Sequence, residues 1–164
     1  MSFEEIVVYA AYLFLIPLIL FTIYWIWKKE YLSAVMRNVA GFLVGLLDQT
    51  LMIIFRWQPT YYLIVVLFDY VLYGTWFLLM PSWKKINPKK WMPIWIIFSG
   101  IFNTILENIV RIYSYGGLNY PAGWTLIHTV IFYLCMHTIG TLIASSNVLL
   151  KKYKVFKRIR LNSN

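Results

Sequence analysis

The stretch MPIWIIFSGIFNTILENIVRIYS, residues 92–114, is a long apolar run that carries a few regularly spaced polar side chains. An α-helix rises 1.5 Å per residue, so about 20 helical residues cross the ~30 Å of hydrocarbon in a lipid bilayer. The run is much longer than a strand of a membrane β-barrel and does not alternate with a period of two. It therefore predicts a transmembrane α-helix.

Four more apolar runs of this kind fill the rest of the chain, at residues 6–27, 39–55, 61–80 and 125–150. The composition, 61% apolar and 13% charged, also lies outside the usual range of soluble domains. The first run follows acidic instead of basic residues and is too long for a signal peptide, so we expect it to be retained. The sequence predicts an all-α protein: a compact bundle of five transmembrane helices in residues 1–150, then a basic tail in residues 151–164.

Positive charge is concentrated in three segments that separate or follow these runs. Thirteen of the fifteen Lys and Arg residues lie there: Lys28, Lys29, Arg37, Lys84, Lys85, Lys89, Lys90, Lys151, Lys152, Lys154, Lys157, Arg158 and Arg160. An odd number of spans puts all three segments on one side, and the positive-inside rule makes that side cytoplasmic. We therefore expect the N-terminus outside and the C-terminus inside. The expected location is a bacterial cytoplasmic membrane.

The net charge of +9 does not predict nucleic-acid binding, because the charges form short clusters at the ends of apolar runs. The basic tail is instead expected to contact anionic lipid at the cytoplasmic face. The lipid-contacting residues that we predict are Lys151, Lys152, Lys154, Lys157, Arg158 and Arg160.

Three of the six acidic residues, Asp48, Asp69 and Glu107, fall inside predicted spans. A carboxylate in the middle of a membrane costs ~2.5–3.5 kcal/mol on insertion scales unless it is paired, protonated or hydrated. Ionisable residues in such positions usually mark a functional site. We therefore expect these three side chains to point into the bundle.

Other polar residues share helix faces that favour the same interior. The fourth span carries Ser99, Asn103, Glu107 and Arg111 at intervals of four, so they lie on one face, and Glu107 and Arg111 have the favourable order for an ion pair. His137 shares a side of the fifth span with small residues, which favours contact with another helix. The predicted ligand- or ion-binding residues are Asp48, Asp69, Asn103, Glu107, Arg111 and His137.

No motif for nucleophilic catalysis, phosphate binding or metal binding occurs, and the single cysteine, Cys135, cannot form an intrachain disulfide. No cofactor is predicted. The leading hypothesis is a non-enzymatic protein that binds or passes a small polar or cationic species, or a proton, as a homo-oligomer or as a subunit of a transport or sensing complex. One alternative is an enzyme that acts on a lipid or lipid-linked substrate at the outer leaflet, with Glu107 or an aspartate as the base and Arg111 on a phosphate. Another is an assembly factor whose polar residues only join helices.

Overall fold

The computed structural model describes the backbone of residues 3–54, 62–82, 86–113 and 123–162, and side chains within 9–51, 67–82, 86–109 and 123–149. Five α-helices follow one another in this part of the chain: α1 (Phe3–Trp27), α2 (Tyr31–Ile54), α3 (Tyr62–Leu79), α4 (Pro88–Tyr113) and α5 (Leu126–Asn162). The described residues contain no β-strand. The predicted all-α class and the number of helices are confirmed.

Three of the helices are long and apolar enough to cross a membrane. Their candidate spans are Tyr31–Leu51 in α2, Pro88–Ile109 in α4 and Leu126–Leu149 in α5. The described parts of α1 and α3 contain shorter apolar stretches, Tyr12–Trp27 and Leu67–Leu79. By length and composition the chain is consistent with an integral membrane protein.

Large apolar side chains are exposed on the outside of the bundle, and several polar ones are buried within it beside an apolar core. The exposed faces of α1 and α4 carry large aliphatic residues such as Leu13, Ile16, Leu20, Ile97, Ile101 and Ile105. Gln49, Asn103 and Thr141 are at most 2% exposed. The exposed aliphatic faces are unusual for a soluble bundle, which solvates polar groups on its surface.

Glycine residues let α2 and α3 pack closely and antiparallel. A Cβ atom on Gly41 would overlap the backbone of Gly74, and one on Gly45 would lie 2.9 Å from the backbone nitrogen of Tyr70. Small residues four apart allow this approach of two backbones. The polar residues that follow on α2 are therefore held against α3.

Helix α5 runs parallel to α3 and completes the centre of the bundle. The aromatic rings of Tyr73 and His137 are 5.7 Å apart, and further along both helices Ser145 contacts the sulfur of Met80. Helix α1 packs mainly on α3, and α4 packs mainly on α5. The interior shared by α2, α3 and α5 is thus covered by α1 on one side and by α4 on another.

The predicted starts of the second and fourth helices are wrong. Helix α2 begins at Tyr31, not at residue 39, and α4 begins at Pro88, so that Pro93 lies inside the helix. The turn before α2 is short because Lys29 takes a left-handed conformation (φ 56°), and Glu30 then starts the helix by accepting a hydrogen bond from the Ala34 amide at 3.0 Å.

Helix α2 starts early because Arg37, which the sequence pattern places in a basic loop, lies inside the helix. Its side chain is only 3% exposed, and its guanidinium is held by backbone carbonyl groups at the end of α3. In the basic tail the helical backbone of α5 continues to Asn162.

Candidate functional site

Four helices contribute polar side chains to one buried region, which we call the polar core. It consists of Asp48 and Gln49 from α2, Asp69 and Tyr73 from α3, Asn103 and Glu107 from α4, and Tyr133 and His137 from α5. It lies in the half of the bundle where α2 and α4 end and α3 and α5 begin. Five of the six predicted ligand-binding residues are brought together there.

The carboxyl group of Asp48 is bound by a tyrosine of the neighbouring helix. The Tyr73 hydroxyl donates a hydrogen bond to Asp48 Oδ2 at 2.6 Å, and both residues are at most 2% exposed. The other carboxyl oxygen, Oδ1, is buried and accepts no hydrogen bond in the described part of the chain. A neutral hydroxyl group is thus the hydrogen-bond donor that meets this acid.

Asp69 of α3 is in turn bound by a side chain of α2. The Gln49 side-chain amide donates to Asp69 Oδ2, and Asp69 lies close enough to Asp48 for the two carboxyl groups to interact electrostatically. The hydrogen-bond donors to both acids are neutral. Two neighbouring buried carboxylates repel each other, so charging both is costly unless a proton or a cation neutralises one of them.

Glu107 brings a third carboxyl group to this region from α4. It forms a side-chain hydrogen bond with Tyr133 of α5 and interacts electrostatically with Asp69 and Tyr73. Arg111 lies one turn further along α4, but its side chain is outside the described residues. The predicted Glu107–Arg111 ion pair therefore falls outside the described residues, as do the side chains of the basic tail.

Asn103 and His137 join α4 to α5 beside the acids. Asn103 Nδ2 lies 2.6 Å from His137 Nε2, and both side chains are at most 2% exposed. With the amide as donor, Nε2 accepts, and a neutral imidazole then carries its proton on Nδ1. The imidazole is surrounded by the aromatic rings of Tyr73, Phe77 and Trp76 at 5.7, 5.7 and 6.3 Å.

Several buried polar atoms of the polar core have no hydrogen-bond partner in the described part of the protein. They are Asp48 Oδ1, Gln49 Oε1, Asn103 Oδ1 and His137 Nδ1, each with less than 1 Å² of accessible surface. More than about nine in ten buried polar groups in native proteins are hydrogen-bonded. Four of the nine such atoms among the described residues thus belong to the polar core.

The described residues contain no group of three His, Cys, Asp or Glu side chains placed to hold a metal ion. The second histidine, His128, lies apart from the polar core in the exposed first turn of α5. There its Nδ1 accepts a hydrogen bond from the Thr125 amide at 3.1 Å. It therefore caps the helix and adds no ligand to the polar core.

The opposite end of the bundle is closed by Arg37. Its guanidinium donates to carbonyl oxygens at the C-terminal end of α3, those of Phe77, Leu78, Met80 and Pro81, and lies 3.9 Å from the ring of Trp25. The last carbonyl groups of a helix lack the usual amide partners, and a cation is favourable beside them; here the Phe77 carbonyl also accepts from the Met80 amide and the Leu78 carbonyl from Trp25 Nε1. Arg37 thus satisfies the end of α3 and places a positive charge there.

Sequence reasoning missed Gln49, Tyr133 and the burial of Arg37. Tyr133 lies four residues before His137, so the helical period could have placed the two on one face. Gln49 directly follows Asp48 within an apolar run, which is itself unusual. The partners of Arg37 are backbone atoms, and no sequence pattern marks them.

In comparisons with known proteins, no family model matches the chain, no curated protein is significantly similar to it, and no solved structure matches it significantly. The described residues thus form a helical bundle that has an acid-rich interior and three helices long and apolar enough to cross a membrane.

Proposed function

We propose that this chain is an integral membrane protein of five transmembrane helices, N-terminus outside and C-terminus in the cytoplasm, whose polar core binds or passes a small polar or cationic species, or a proton. It would work in a bacterial cytoplasmic membrane as a homo-oligomer or as a subunit of a transport or sensing complex, with its basic tail on anionic lipid. The observation that carries the proposal is the convergence of Asp48, Asp69 and Glu107 from three helices.

Electrostatics supports a cationic or protonic ligand. Burying a carboxylate without a partner of opposite charge is costly, and Asp48 and Asp69 receive hydrogen bonds only from neutral groups. A ligand that brings positive charge removes the repulsion between the acids. An anion would increase that repulsion.

The second candidate is an assembly factor, in which the polar residues only join helices. It is favoured by the pair of bonds between α2 and α3, from Tyr73 to Asp48 and from Gln49 to Asp69. Interhelical hydrogen bonds of this kind stabilise membrane bundles by about 0.6 kcal/mol on average. Under the first candidate the acids are needed for ligand binding or passage as well as for stability. Under the second they are needed only for stability.

The test is a flux assay on the full-length protein in liposomes, with three probes measured separately: protons by a pH-sensitive dye, sodium ions and methylammonium. We expect movement of at least one probe above that of empty liposomes, and its loss in Asp48→Asn and Asp69→Asn. The matched control is Ser145→Ala, a buried polar residue toward the other end of α5. It should retain the wild-type rate.

Wild-type liposomes that equal empty ones for every probe would contradict the proposal, as would full activity in both Asn variants. If those variants lose only thermal stability, the assembly role is correct.

A further inference from the structure

The described atoms around the acids of the polar core are closely packed. The unpartnered atoms of Asp48, Gln49, Asn103 and His137 each have less than 1 Å² of accessible surface. A calcium ion takes about six to eight oxygen ligands, and the described residues contain no group of three His, Cys, Asp or Glu side chains placed to hold a metal ion. A proton binds to a carboxylate oxygen without displacing any atom.

Each of two acids of the polar core has a tyrosine hydroxyl group as a hydrogen-bond partner. Tyr133 is hydrogen-bonded to Glu107, Tyr73 donates to Asp48 at 2.6 Å, and the two tyrosines are near enough to interact electrostatically. A hydroxyl group can donate one hydrogen bond and accept another at the same time. Both tyrosines can therefore take part in proton transfer to the acid that each one contacts.

The route toward the other end of the bundle is blocked by apolar packing and by charge. The ring of Phe77 occupies the space where Gly140 would carry a side chain, and Val44 and Met136 pack in the same cluster. Beyond them, the guanidinium of Arg37 repels a positive species. Glu107, at the other end of the polar core, is only partly buried.

Several groups that titrate or carry charge lie on the helices around Asp48. They are Asp69 and Tyr73 of α3, Glu107 of α4, and Tyr133 and His137 of α5, with Arg111 one turn beyond Glu107 and Arg37 at the opposite end. Helix α1 carries Glu4 and Glu5 in its first turn, and its residues 12–27 contain no Asp, Glu, His, Lys or Arg.

Resting on the proposed function, we infer that the ligand of the polar core is the proton, taken up at the end of the bundle where α4 ends. A hydronium ion transfers its proton to the Glu107 carboxylate and leaves as water. The Tyr133 hydroxyl accepts that proton as its own passes to Tyr73, whose proton passes to Asp48. Both tyrosines are neutral before and after, and the Asp48 carboxylate becomes a carboxylic acid.

The test is an infrared titration of the full-length protein in lipid, in H₂O and D₂O, that follows the C=O stretching band of protonated carboxyl groups. We expect a band that grows as the pH falls, shifts in D₂O and loses intensity in Asp48→Asn. Ser145→Ala should reproduce the wild-type band. After a pH jump, Tyr133→Phe should slow growth of the band by about tenfold or more, because general acid–base groups contribute factors of that size or larger to proton transfer.

The sodium and methylammonium probes separate the two proposals. If one of these ions moves in a manner that depends on Asp48 but no carboxyl group titrates, the proton inference is wrong and the proposed function stands. If no carboxyl group titrates and no ion moves, both are wrong. A rate unchanged in Tyr133→Phe, with a band that depends on Asp48, contradicts the tyrosine route.

Discussion

At the scale of single residues, the hydroxyl group of Tyr73 has the clearest energetic role, because it donates a hydrogen bond to the carboxyl group of Asp48, which is only 2% exposed. Removing one partner of a buried hydrogen bond leaves the other group desolvated and unsatisfied. A second tyrosine one turn earlier, Tyr70, makes a comparable but longer bond of 3.2 Å to Asn38 and is only half-buried. The two hydroxyl groups therefore provide a matched comparison on one helix.

We predict that Tyr73→Phe lowers the free energy of unfolding by about 1–3 kcal/mol, since Asp48 loses its donor while it stays buried. Tyr70→Phe removes a bond between neutral groups and should cost about 0.5–1.5 kcal/mol. Denaturant unfolding in mixed micelles measures both values. Equal losses in the two variants would show that the hydrogen bond to Asp48 stabilises the protein no more than the bond from Tyr70 to Asn38.

At the scale of helices, contact between α2 and α3 depends on glycines, which bring the backbones together and position Asp48 and Gln49 against α3. At Gly41 the neighbouring atoms belong to the backbone of Gly74 and cannot move aside. At Gly100, between α4 and α5, the atom nearest to an added Cβ is the Leu134 methyl carbon Cδ2, at 2.8 Å, and this side chain can rotate away. The same substitution therefore has different consequences at the two interfaces.

We predict that Gly41→Ala separates α2 from α3 and destabilises the protein by about 1–3 kcal/mol, the range for overpacking of a tight core. Gly100→Ala should cost less, because a side-chain rotation accommodates the new methyl group. Thermal unfolding in the same micelles compares the variants. A larger loss at Gly100 than at Gly41 would contradict the close α2–α3 contact.

At the scale of the whole molecule, the exposed apolar faces are consistent with an integral membrane protein, and the topology that we propose can be tested directly. The start of α2 and the start of α5 lie at opposite ends of the bundle, because Asn147, late in α5, donates a hydrogen bond to Ser33, early in α2, at 3.2 Å. The turn at Lys28 and the turn at Thr125 should therefore face opposite sides of the membrane.

Cys135 is the only cysteine, so Cys135→Ala provides a background for single-cysteine labelling. In intact cells, a membrane-impermeant maleimide should label Thr125→Cys, whereas Lys28→Cys should react only after lysis. Labelling of both positions from the same side would rule out the proposed topology.

The sequence alone determined the all-α class and the number of helices in the described residues, because long apolar runs and helical periodicity are local properties. It also indicated that Asp48, Asp69 and Glu107 lie within apolar helices and that Asn103 and Glu107 share a face. Only the tertiary structure decided that Tyr73 and Gln49 are the partners of the aspartates, that Tyr133 meets Glu107, and that Arg37 lies inside a helix. Those partners come from different helices, and the choice among them depends on which small residues let two backbones approach, a property of packing that no single segment encodes.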